Sequence, residues 1–142
     1  LKQKQKILVC YKEEINMSTH CGIAVRTEKG YETISCHWDG MPSRMLPKLQ
    51  NHYNSEALAN LLISGGDASS IGSKFKPTGK YHSFDNPEKD VCVFYHRDRG
   101  EDWTDTRPAI YGKNLVLDMY YFMYIWENGC WTAYADGKKV TV

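Results

Sequence analysis

The chain has 142 residues, 42% hydrophobic and 25% charged, with a formal net charge of +1. That length is one domain with room for a real core, and the near-neutral charge supplies no field to draw the chain to nucleic acid or anionic lipid. The longest apolar-leaning run, Leu115 to Trp126, is interrupted by Asp118 and falls far short of a membrane span, so no membrane partner is expected. Ile7 to Cys10 is too short for the apolar core of a secretory signal. Five scattered cysteines (Cys10, Cys21, Cys36, Cys92, Cys130) form no Cys-x-x-Cys pair, which argues against zinc knuckles and thioredoxin-like motifs. Free thiols in a reducing cytoplasm are the expectation. The aromatic share is high, with ten tyrosines and four tryptophans, and suits a β-rich core or an interface.

Residues 1–16 read differently from the rest. Lys2, Lys4 and Lys6 alternate with Gln, and Lys12 to Met17 can be back-translated as AAG GAG GAA ATT AAT ATG, a bacterial ribosome-binding sequence ahead of a start codon. Met17 is therefore expected as the natural start, with residues 1–16 a non-native or flexible extension and 17–142 a single α+β domain. The competing reading is a strand from Ile7 to Tyr11. Without the extension the net charge moves from +1 to −1, because four lysines and two glutamates leave with it.

Cys21 to Arg26 and Tyr31 to Cys36 read as antiparallel strands joined by the polar loop Thr27-Glu28-Lys29-Gly30. A first helix follows, with Ser43 as its N-cap, Pro47 in its opening turn, and Met45, Leu46, Leu49, His52 and Tyr53 on one face. Ser55 caps a second helix that buries Leu58, Leu61 and Leu62 and stops at Gly65-Gly66. Asp67 to Asn86 reads as a long loop, functional or mobile. Val91 to Tyr95 reads as a buried strand, and Glu101 to about Gly112 as a second polar loop. A hairpin closes the chain: Leu117 to Trp126, a turn at Glu127-Asn128-Gly129, and Cys130 to Ala135. The order β-β-α-α-β-β-β predicts a mostly antiparallel sheet with two helices on one face.

Two constellations could carry chemistry. In the first, His37, Trp38 and Asp39 follow a strand, and His52 and Tyr53 come a helical segment later; imidazole and carboxylate are acid/base and metal-ligating groups. A metal would need further donors such as His96, Asp98 or Asp67. No spacing matches a zinc or two-His-carboxylate site, so no metal or cofactor is expected. In the second, His96-Arg97-Asp98-Arg99-Gly100-Glu101-Asp102, two arginines on an extended backbone would project to one side as a fork for phosphate or carboxylate. Internal pairing with Asp98, Glu101 and Asp102 is the competing reading. Gly66 to Lys74 has the wrong spacing for a nucleoside-triphosphate loop. Cys36 and His37 point to opposite faces of their strand, which argues against a Cys–His dyad.

Taken in order, Ser18 to Val25, Cys36 to Gly40, His52-Tyr53, Leu62 to Gly72 and Tyr95 to Glu101 resemble a group of small proteins of tailed phages and prophages. The resemblance covers roughly residues 17–101. His20 stands where such proteins carry Arg, and the tail after Trp103 matches nothing in the group. The group has no assigned catalytic residues, so the resemblance implies only a virus-encoded accessory protein of the bacterial cytoplasm.

Three functions are open at this point. One is a binding protein that blocks or sequesters a host protein or a nucleotide-like small molecule, as an anti-defence factor would, through His37, Trp38, Asp39, His52, Tyr53, Asp67, Arg97, Asp98, Arg99 and Glu101. The second is a metal-independent phosphodiester or nucleotide enzyme using His37 with His52 or His96, and Arg97 or Arg99 against developing charge. The third, not favoured, is a single-strand nucleic-acid binder through Lys74, Lys76, Lys80 and Lys89 interleaved with Phe75, Tyr81 and Phe84. Oligomeric state is not legible.

Overall fold

Cys21–Thr27 (β1) and Gly30–Cys36 (β2) pair antiparallel, with Cys21 opposite Cys36 and Thr27 opposite Gly30. Residues 19–140 are the ones described by the computed structural model, so the expectations for residues 1–16 and a start at Met17 lie outside them. After β2 come the helices Pro42–His52 (α1) and Glu56–Ser64 (α2), then Ala68–Ser70 (β3) and Val93–Phe94 (β4). The short helices Tyr95–Arg99 (α3) and Trp103–Thr106 (α4) lead to Ala109–Tyr111 (β5) and the helix Lys113–Met119 (α5). Phe122–Glu127 (β6), Cys130–Ala135 (β7) and Lys138–Lys139 (β8) finish the order.

The sheet runs β4-β3-β2-β1-β6-β7-β8, with β5 also on β2. The fold is α+β and mostly antiparallel, with parallel joins at β1–β6 and β2–β3. Those joins arise because β6 returns beside β1 after the whole middle of the chain, and β3 returns beside β2 after the helix pair. The expected order is right in outline but omits β3, β5, β8 and three helices. No helix among the described residues is long and apolar enough to cross a membrane.

Alternation sorts the strands onto two faces. Cys21, Ile23, Val25, Ile34 and Cys36 meet Met45, Leu46, Leu49, Tyr53, Ala59, Leu62 and Ile63 of α1 and α2 in the main core. Ala24, Tyr31, Met123 and Ile125 face the other way and are covered by Val116 of α5. Helices therefore lie on both faces, not one. The β6–β7 turn matches the expectation: Asn128 and Gly129 take φ of 55° and 78°, the left-handed pair a type I′ hairpin demands.

Several local expectations are corrected. Met41 precedes α1 with no side-chain cap, Pro42 opens it and Pro47 lies mid-helix, so Ser43 is not the cap. His52 is exposed and falls off the apolar face, since the main core needs only Met45, Leu46, Leu49 and Tyr53 from α1. On α2, Ala59, Leu62 and Ile63 are buried while Leu58 and Leu61 are exposed, because the packed stripe follows Leu62 rather than the leucines generally. The expected strand from Leu117 starts only at Phe122, because Lys113–Met119 makes about two turns of helix that cover the second face. The Val91–Tyr95 strand shortens to Val93–Phe94, and the loop from Glu101 contains α4 and β5.

Two core phenols anchor neighbouring loops. Tyr53 Oη donates to Gly72 O at 2.6 Å, and Tyr124 Oη donates to Gly40 O at 2.6 Å. Burial pushes both phenols well above the ordinary 10.0 and the Cys92 thiol above 9.0. A raised folded pKa gives stability that is complete below the unfolded value and disappears as pH rises past it. Urea midpoints are therefore expected to hold to about pH 9 and then fall. Each phenol that ionises only on unfolding costs about 1.4 kcal/mol per pH unit above its unfolded value. A flat urea midpoint to pH 11 would contradict this.

Candidate functional site

Beyond β2 the chain stays extended. His37 N donates to Ala68 O at 3.1 Å and Trp38 N to Ser69 O at 3.0 Å, which continues the parallel ladder to β3. The His37 ring lies 4.2 Å from that of His20 and 4.6 Å from that of Trp38. Burial, and then the neighbouring His20, hold the His37 imidazole below its usual range. Asp39 turns the chain at φ 58° and meets Arg44 at 3.7 Å. Asp39 and His52 line an open groove of about 600 Å³ along α1 that includes neither His37 nor Arg97. The groove's charges are largely occupied: Lys48 Nζ donates to Ile71 O at 2.8 Å, and Glu88 accepts from Thr78 and Gly79. Tyr53 is a core residue, 2% exposed, with its hydroxyl spent on Gly72.

The second constellation is a helix rather than an extended fork, so its two arginines diverge. Arg97 Nη1 donates to Phe75 O and Nη2 to Cys92 O, both at 2.6 Å, and Nε donates to Asp98 Oδ1 at 2.9 Å. Its guanidinium also lies 4.9 Å from the Phe94 ring centroid. Asp98 Oδ2 accepts the Phe94 N–H at 2.8 Å, and His82 Nε2 stands 3.2 Å from Oδ1, off the line of a hydrogen bond. Burial pushes the Asp98 carboxyl upward, but Arg97, the Phe94 N–H and His82 outweigh it and leave it below the usual range. His96 Nδ1 pairs with Glu101 O at 2.7 Å, while Arg99 covers the Phe84 ring and lies 3.8 Å from Glu101.

These contacts strap the 71–92 loop to α3. Phe84 N donates to Asp98 O, Lys74 N to Asp90 O, and Cys92 N to Lys74 O. β3 runs between the two constellations, and no hydrogen bond, ion pair or ring contact among the described residues joins His37, Trp38 or Asp39 to His96, Arg97 or Arg99.

Asp67 lies elsewhere, half-buried beside the outer edge of β2. The outer edge of β2 pairs with β5 at Tyr31 to Thr33 and with β3 at Cys36. Ser35 falls in the gap between those partners, and its N–H is met by Asp67 Oδ1 at 2.9 Å. Asp67 N donates to Thr106 O at 2.7 Å and its carbonyl accepts from Tyr95 N at 3.2 Å, so one residue stitches β2, α3 and α4 together. Gly66 makes the approach of α4 possible: its φ is +80°, and a Cβ there would sit 2.5 Å from Thr106 O.

Where β2 changes partner a crevice opens, as crevices do where neighbouring strands part. It is a cavity of about 360 Å³ floored by Thr33 and Ser35 and walled by Asp67, Arg107, Tyr111 and Tyr120, with Thr104 and Asp105 at the α4 side. Burial raises the Asp67 carboxyl above its usual range against the opposing Ser35 hydrogen bond. Arg107 is exposed, and among the described residues no acidic group lies within ion-pair distance of it.

Of the sequence candidates, only Asp67 reaches this cavity. Arg107, Tyr111 and Tyr120 were not singled out, and nothing local marks them: they lie in the segment read as a loop and in the one read as an early strand. No group of three or more His, Cys, Asp or Glu among the described residues is placed to hold a metal ion. Compared with protein-family models, curated proteins and solved structures, the chain matches none.

Proposed function

We propose that this chain is a small binding protein that captures a small polar molecule in the Asp67 cavity, and, in line with the phage resemblance, that it does so to sequester a molecule of the host cell. The observation that carries the reading is a half-open cavity lined by both a carboxylate and a guanidinium, the guanidinium with no acidic group within ion-pair distance among the described residues. A concave site with a few convergent polar groups, one of them displaced from its ordinary pKa, is the usual signature of a ligand pocket. An enzyme built on His37 with His52 or His96 has less support, because His37 packs on His20 and Trp38 while His96 is held by Glu101. The Arg97 fork also supports it less, since its donors already have acceptors within the fold.

The test is Asp67→Asn. A group whose folded pKa is raised favours its neutral form in the fold, so its charge at neutral pH works against stability. Asn keeps an oxygen for the Ser35 N–H and removes that charge. The melting temperature is expected to stay level or rise by a degree or two. In native mass spectrometry of protein purified from bacteria, the wild type is expected to carry a small molecule that denaturation releases, and Asp67→Asn to lack it. Equal occupancy of the two proteins, or an apo wild type that no metabolite panel stabilises, would overturn the reading.

A further inference from the structure

Resting on that reading, we propose that the cavity ligand is a guanine mononucleotide, its base edge on Asp67, its ring against Tyr111 or Tyr120, and its phosphate on Arg107. Asp67 Oδ1 accepts the Ser35 N–H, and a carboxylate has further lone pairs to offer the cavity that Asp67 lines. A carboxylate accepts only, so the matching edge must offer donors side by side. Guanine does so with its N1–H and 2-amino group. Adenine places a ring-nitrogen lone pair beside its amino group, and that lone pair would face the carboxylate.

The phenol rings fit a flat heterocycle. The Tyr120 ring packs against Gly22 of β1, 3.0 Å from where a Cβ there would sit, and Tyr120 lines the cavity along with Asp67. A base stacked on such a ring gains about 1–3 kcal/mol. Arg107 is exposed at the rim and without an acidic partner among the described residues, as a phosphate-binding guanidinium needs to be. Asp105 lines the α4 side of the same cavity, so the phosphate has to sit on the Arg107 side, away from both carboxylates. The volume of about 360 Å³ is at the small end of ligand pockets, enough for one nucleotide but not for two. An amino acid could also bridge Asp67 and Arg107, but would leave the aromatic walls unused.

The experiment is isothermal titration of the full chain with GMP, IMP, AMP, guanosine and inorganic phosphate. GMP is expected to bind best. IMP, which lacks the 2-amino group, is expected to bind at least about tenfold more weakly, as is guanosine, which lacks the phosphate. Arg107→Ala should reduce GMP affinity to that of guanosine and leave guanosine unchanged; Asp67→Asn should cost GMP at least about tenfold while the protein keeps its melting temperature. AMP binding as tightly as GMP, IMP equal to GMP, or no nucleotide binding at millimolar concentration would each overturn the assignment. In those cases a small molecule carried by wild type and lost from Asp67→Asn would leave the binding-protein reading intact, whereas its absence would remove both.

Discussion

Replacing Arg97 by alanine is expected to destabilise the protein by about 2–4 kcal/mol, read from the urea midpoint at constant m-value. The guanidinium spans three acceptors from three parts of the chain: the carbonyls of Phe75 and Cys92 and the Asp98 carboxylate. Removing it leaves two carbonyls without donors and strips Asp98, whose side chain is only 4% exposed, of its counter-charge. Exposure of 29% on the Arg97 side keeps the loss below that of a fully buried pair. Arg97→Lys should recover little, because one ammonium cannot reproduce a planar fork aimed at three acceptors. The acid limb supplies a second readout. A depressed folded pKa gives stability that is complete above the unfolded value, 3.8 for Asp98, and is lost as pH falls through the folded one. That loss should be clear in the wild type and flatter in Arg97→Ala. An Arg97→Ala protein with unchanged urea midpoint would return these residues to consideration as ligand contacts.

Gly66→Ala is the second large effect, at about 2–4 kcal/mol. Two costs combine there: a left-handed backbone at φ +80° and a Cβ forced to 2.5 Å from Thr106 O and 2.9 Å from the Trp103 ring. Gly100→Ala separates them, since Gly100 shares the φ of +80° but has nothing within 4 Å of the added carbon. It should cost only about 1 kcal/mol. The difference between the two variants measures the crowding of α4 against residue 66, the approach that closes the Asp67 cavity. Equal costs would mean that α4 yields freely and the cavity wall is soft.

The strands, the hairpin turn and the helix pair were legible because each is written in local periodicity. β1 and β2 alternate, and Asn128-Gly129 is specific to its turn. What escaped reading depends on distant partners. Ala68–Ser70 pairs only because Cys36 and Phe94 flank it, and Ala109–Tyr111 only because the β2 edge is open at Tyr31 to Thr33. The 95–99 segment shows no periodicity, and its helix is fixed by tertiary contacts of Arg97 and Asp98. At the cavity, Asp67 was visible as a polar residue after paired glycines. Arg107, Tyr111 and Tyr120 become neighbours only when β2 exchanges one partner for another, which no local pattern records.

Among the described residues the sheet ends in two-residue strands on both sides, β4 at one margin and Lys138–Lys139 at the other, while β5 contributes three residues. A foreign strand needs a longer run of free backbone groups to add itself, and paired lysines repel a second copy approaching the same margin. β8 covers β7 only at Tyr134 and Ala135, so the twin lysines guard the end of β7 nearest them and disfavour a second copy docking there. Away from both margins, the side of α2 presents Leu58 and Leu61 to solvent, an apolar surface of another kind.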